Sequence, residues 1–225
     1  MRTAALLALS AAMLALSAAP ATAERWQGRD RHHDVRSYEI TLAQQPRACD
    51  QVVAGDYVTG DRLRDITALH VDHGTDTIDV AVRLAEVRRV DKQTSYELAI
   101  RTPERTFVAQ MYRGRRSKVA VDLEVVRPSH DPDAPGCGPV LEVVNEVDCA
   151  GVVGNVDPHR NAVTVTIPRA CLGTPTWVRV GAASGAFDAR AFDPSKPVTV
   201  VSDTWGERDA LVHLLPAVGP KVHSD

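Results

Sequence analysis

Three carboxylates stand close together in the segment Gly55-Asp-Tyr-Val-Thr-Gly-Asp-Arg-Leu-Arg-Asp-Ile66, at Asp56, Asp61 and Asp65. Calcium is a hard cation that takes roughly six to eight oxygen ligands, and a loop containing glycine can wrap several carboxylates and carbonyls around one ion. Asp56, Asp61 and Asp65 are therefore the candidate metal ligands, with calcium as the cofactor they would hold. The plainer reading makes them turn and strand-start residues whose carboxylates accept nearby backbone N–H groups. Their spacing departs from the EF-hand loop, and no acid follows at the terminal ligand position of that loop.

Other residue types with chemical potential are scattered. His70 and Asp72 would share one face of a strand, which suits metal binding, but His73-Gly74 reads as the start of a turn. His32, His33 and Asp34 lie in a polar stretch expected to be unstructured, suited at most to adventitious metal binding without a defined geometry. No His-Glu-x-x-His run occurs, and Gly181-Ala-Ala-Ser184-Gly185 misses the register of a nucleophile elbow. No catalytic residue is assigned. Aromatic side chains are few, so a sugar-stacking platform has few candidates. Trp205, in the turn-like Asp203-Thr-Trp-Gly206, is the candidate ligand-binding aromatic. Trp177, beside the inward-facing Val178, either faces outward or packs on the core or the sheet's second face, and packing is the favoured role.

The chain opens with Arg2, an apolar run from Ala4 to Leu16 that is too short to span a bilayer, and the small-residue site Ala21-Thr-Ala23. Residues 1–23 read as a signal peptide. This predicts a protein that is secreted, extracellular or in the cell envelope, with no transmembrane segment after cleavage. Residues 1–23 hold one basic side chain and no acid, so the formal charge of −3 becomes −4 without them. That balance speaks against a nucleic-acid partner, which calls for a concentrated basic face. Lysine occurs only at 92, 118, 196 and 221; the preference for arginine reads as the codon bias of a GC-rich genome.

Four cysteines, Cys49, Cys137, Cys149 and Cys171, without any Cys-x-x-Cys spacing, favour structural disulfides over zinc or redox chemistry. Three connectivities are possible. Cys149–Cys171 is favoured, because the two flank what reads as a hairpin turning at Asp157-Pro-His-Arg-Asn161. Cys49–Cys137 then remains.

The elements that must carry these residues are strands. Ile78, Val80, Val82 and Leu84 alternate with polar or small residues, as do Tyr96, Leu98 and Ile100; Phe107, Ala109 and Met111; Val119, Val121, Leu123 and Val125; Val163, Val165 and Ile167; and Val178 and Val180. Period two marks strands with one buried face. Turn signals separate the runs, at His73-Gly-Thr-Asp76, Thr102-Pro-Glu104 and Arg113-Gly-Arg115. No amphipathic helices interleave. The pattern predicts an all-β fold, an antiparallel β-sandwich of jelly-roll type, disulfide-bridged. Residues 24–37 are expected to be a loose N-terminal segment, 38–225 a single sandwich domain, 127–137 a long Pro/Asp-rich loop, and 208–215 one or two helical turns.

The stretch Ile167-Pro-Arg-Ala-Cys-Leu-Gly-Thr-Pro-Thr-Trp-Val-Arg-Val-Gly181 resembles a group of small secreted β-sandwich proteins of GC-rich bacteria, with no assigned function. They share Pro-Arg-x-Cys-Leu-Gly followed by Trp-Val-Arg-Val-Gly, with a partner cysteine about one hairpin upstream. The resemblance implies Cys149 as that partner. It extends over Gly55-Asp56 to Val87 and takes in about two thirds of the chain beyond the leader. More distantly, the acidic entry into the first hairpin is similar to that of carbohydrate-binding and DOMON-type sandwiches. The resulting expectation is a secreted, non-catalytic binding or structural module, with calcium or carbohydrate as ligand or a surface protein as partner. A secreted hydrolase with a dispersed site and a protein-interaction or inhibitor module are the alternatives.

Overall fold

The computed structural model describes residues 24–41, 51–88, 94–113, 119–130, 139–187, 196–206 and 215–224. The signal-peptide segment, Cys49, Cys137 and residues 208–214 lie outside the described residues. So do 131–137 of the expected Pro/Asp loop.

Two antiparallel sheets face each other across one core, as the period-two runs require. The smaller sheet holds β1 (Glu24–Arg29), β4 (Ile66–His73), β5 (Thr77–Leu84), β11 (Ala162–Pro168) and β10 (Val153–Asp157), in that spatial order. The larger begins with β3 (Gln51–Tyr57), β2 (Arg36–Thr41), β13 (Val198–Thr204) and β12 (Trp177–Phe187). It continues through β6 (Thr94–Arg101), β7 (Thr106–Arg113), β8 (Val119–His130) and β9 (Pro139–Glu146). A two-residue strand, β14 (Val222–His223), pairs with the start of β12.

The inward set is the one the alternation predicts. Ile78, Val80, Val82 and Leu84 of β5 meet Leu98, Ile100, Phe107, Leu123, Val178 and Val180 of the larger sheet, all buried. The strand pairs are fixed by residue-level register, for instance Val165↔Val80 and Val180↔Ile100. Slipping either pair by one residue would turn its apolar side chains to the wrong face. Between β10 and β11, Asp157 Oδ1 accepts the N–H groups of His159 and Arg160, and Asn161 takes a positive φ of 49°, which completes the predicted turn. Cys149 and Cys171 flank this hairpin and are bridged, with Cα atoms 5.9 Å apart. Among the described residues, no helix is long and apolar enough to cross a membrane.

Three expectations need correction. Glu24–Arg29 is not loose: it pairs along its whole length with β4, from Glu24↔His73 to Arg29↔Ala68. An edge strand buries little, so its only large apolar side chain is Trp26, which packs against the core. Arg127–His130 is the end of β8, not loop, in register with Glu142–Pro139 of β9. His73, expected at a surface turn, is fully buried, and its Nδ1 lies 2.9 Å from the Val222 carbonyl, which fixes the proton on Nδ1.

Candidate functional site

Where the two sheets meet at one end, three carboxylates from distant parts of the chain converge. Asp34 follows β1, Asp65 immediately precedes β4, and Asp203 lies in β13. All three are buried, and each offers an oxygen within 4.8 Å of the others. Of the three residues expected to bind calcium, only Asp65 is among them.

The backbone holds each position firmly. Asp30 N–H continues the β1–β4 ladder to the Thr67 carbonyl, and the turn that follows puts His33 at φ 66°. His33 N–H then donates to Asp65 Oδ1 at 3.2 Å, tying this turn to the start of β4. The Asp65 carbonyl accepts Ala85 N–H at 2.8 Å, and the neighbouring Arg64 carbonyl accepts the Ser184 hydroxyl. Asp203 is anchored through both side-chain oxygens: Oδ2 accepts Ile66 N–H at 2.7 Å and Oδ1 accepts Thr204 N–H at 2.8 Å.

The electrostatics of this corner favour a cation. Burial pushes the Asp203 carboxyl up to about 8, with Asp34 and Asp30 raising it further, against the lowering effect of the Ile66 N–H. Asp30, which accepts N–H groups from Arg31 and Gly206, is likewise raised by burial, to about 6, and it feels the charges of Asp34 and Asp65. Asp65 Oδ2 is fully shielded from solvent and has no hydrogen-bond partner among the described residues; the same holds for Asp30 Oδ2. The imidazole of the exposed His33 approaches Asp65 Oδ2, at 3.6 Å. Arg64, the nearest arginine in sequence, turns away to Asp61, with Nη1 2.6 Å from Oδ2. An all-oxygen donor set of this kind suits a hard cation, calcium or magnesium, better than zinc or copper.

The structure therefore corrects the expected ligand set. Asp61 is taken up by Arg64 and by the N–H of Leu63, forming a local turn of the kind its alternative reading described. Asp56 is exposed at the end of β3, where its carbonyl accepts the Ser37 hydroxyl. Neither joins the cluster, because β3 pairs with β2 and carries Asp56 away from the corner. Trp205 is also reassigned. It is half-buried against the core, edge-on to Trp26 with ring centroids 5.1 Å apart, so its indole is a packing group and not an open sugar platform. Asp203 was missed by sequence reasoning, and Asp34 was read only as part of an adventitious metal-binding stretch with His32 and His33. The available signal was a carboxylate inside the apolar run Val-Thr-Val-Val-Ser-Asp203, where burial without a partner is costly.

Compared with known proteins, the chain matches no family model, no curated protein and no solved structure.

Proposed function

We propose that this protein is an exported, non-catalytic binding or structural module whose two sheets are tied together at one end by a calcium ion held by Asp34, Asp65 and Asp203. One observation carries this reading: a wholly buried Asp65 oxygen without a hydrogen-bond partner, among two other buried carboxylates. Burying such an oxygen without a hydrogen bond is costly, the exposed His33 approaching only to 3.6 Å, and a divalent cation would supply the missing partner. The ligand oxygens lie within 4.8 Å of each other. All three carboxylates are buried, out of reach of a polymeric substrate, which supports a structural role over a hydrolytic one. Export rests on the leader-like residues 1–23 and agrees with the Cys149–Cys171 bridge, since disulfides persist outside the cytoplasm.

The test is thermal unfolding of the oxidised protein in millimolar calcium and in chelator, with the Asp65→Asn variant beside it. Asparagine keeps the oxygen that accepts His33 N–H and replaces the unpartnered one with an amide. Calcium should raise the stability of the unmutated protein by about 2.7 kcal/mol at one hundred times the dissociation constant. Asp65→Asn should lose that gain, while in chelator it should be at least as stable as the original. An absent calcium effect, or one that survives Asp65→Asn, would overturn the reading.

A further inference from the structure

We propose that a basic groove on the outer face of the larger sheet binds an acidic glycan through the oxyanion groups along its chain. The groove has a volume of about 770 Å³ and runs over β12, β6, β7, β8 and β9, with the β6–β7 turn at one side. Strand alternation places it: Val178, Val180 and Ile100 point into the core, so Arg179 and Arg101 point the other way. These two arginines are direct cross-strand partners. Like charges directly opposite each other destabilise a sheet, and an oxyanion spanning both guanidinium groups would relieve that repulsion.

The neighbouring groups add positive charge without cancelling it. Arg179 donates to the Gly219 and Val218 carbonyls at 2.7 and 3.2 Å, neutral acceptors that fix its orientation and leave its charge available. Lys221 lies 4.3 Å from the centroid of the Trp177 ring. Arg105 is exposed in the turn after β6, and Glu104 is the one carboxylate among the described lining residues. Arg127 also lines the groove, but a two-pronged contact with Glu142 at 2.9 and 3.0 Å meets its charge. Concentrating four available cations here, on a chain of formal charge −3, makes a site for an anion. The arginine content ascribed above to codon bias thus includes a clustered set.

The lining also narrows the class of anion. Nucleic-acid grooves add aromatic faces on which bases stack, and here the one aromatic among the described lining residues, Trp177, has Lys221 over its ring. An acidic peptide gains much of its affinity by adding to a free sheet edge, but Arg179 and Arg101 stand on β12 and β6, both paired on both sides, and among the described lining residues the edge strand β9 contributes only the uncharged Val144 and Asn145. What remains is recognition of side-group anions by side-chain cations, which a carboxylated or sulfated glycan supplies at intervals along its chain. The inference stands independently of the calcium reading.

Electrophoresis of the oxidised protein through gels carrying polygalacturonate, dextran sulfate or neutral dextran tests it, with duplex DNA and polyglutamate as further probes. The expected result is retardation by one or both acidic glycans, none by neutral dextran, and weakening as salt rises. The two acidic polymers separate a carboxylate from a sulfate ligand. Arg101→Glu combined with Arg105→Glu should weaken binding at least tenfold. Arg83→Glu, an exposed arginine of the smaller sheet, should leave it unchanged. Failure of both acidic glycans to retard the protein would overturn the proposal. So would equal retardation by DNA or polyglutamate, or an equal loss in Arg83→Glu.

Discussion

The carboxylate of Asp203 accepts the backbone N–H of Ile66 at 2.7 Å across 137 positions of sequence. Both residues are buried, Asp203 at 3% exposure and Ile66 at none. This bond joins the end of β13 in one sheet to the start of β4 in the other, so it fixes how the two layers meet beside the carboxylate cluster. Asp203→Ala would leave a buried N–H without its acceptor, a loss of about 1 to 3 kcal/mol. Asp203→Asn retains one of the two accepting oxygens and should cost less than Ala. Urea unfolding in chelator measures both, and equal destabilisation by the two variants would remove the hydrogen bond from this account.

The raised carboxyls predict an unusual pH profile for the cation-free protein. Asp203 at about 8 and Asp30 at about 6 hold their protons longer in the folded state than in the unfolded chain, where the value is 3.8. The native state then binds more protons, so stability falls as pH rises from about 4 towards 8, by on the order of a few kcal/mol. His73 acts in the opposite sense. Burial lowers it below 6.5, its Val222 carbonyl partner only partly opposing this. Its contribution is complete above 6.5 and declines as pH drops. Two raised carboxyls outweigh one lowered histidine, so in chelator the melting temperature should decline from about pH 5 to pH 8. Calcium competes with protons for the same oxygens, so the stabilisation it gives should grow over that interval. A cation-free protein more stable at pH 8 than at pH 6 would contradict the burial of Asp203.

Much of this architecture was legible in the sequence because it depends on short-range periodicity. Ile78, Val80, Val82 and Leu84 show it most plainly: each is buried, and the pattern alone assigns their face. The Cys149–Cys171 bridge was legible for the same reason, as both ends of one hairpin must come together. Strand β1 was not, since an edge strand needs no apolar alternation and Trp26 alone among its residues packs on the core. The carboxylate cluster was even less so. Asp56 and Asp61 are near Asp65 in sequence, but one is carried off by β3 and the other is held by Arg64. Asp34 and Asp203 reach Asp65 only through sheet pairing between segments far apart along the chain, which local spacing does not encode.

The attachment of β1 depends on a missing side chain. At Gly28, a Cβ would lie 2.5 Å from Trp205 Cζ2 and 2.6 Å from Trp26 Cη2, too close for either ring to remain where it is. The two indoles meet edge to face over this glycine, and that contact packs β1 against the segment following β13. Gly28→Ala should therefore displace at least one indole and destabilise the protein by about 1 to 3 kcal/mol, the usual range for overpacking. Since Asp30 and Asp34 follow directly on β1, the same substitution should weaken calcium binding although it touches no carboxylate. Tryptophan fluorescence would report the indole displacement, and calcium titration of the variant the second effect. Unchanged emission together with unchanged stability would mean that β1 is not held by these rings.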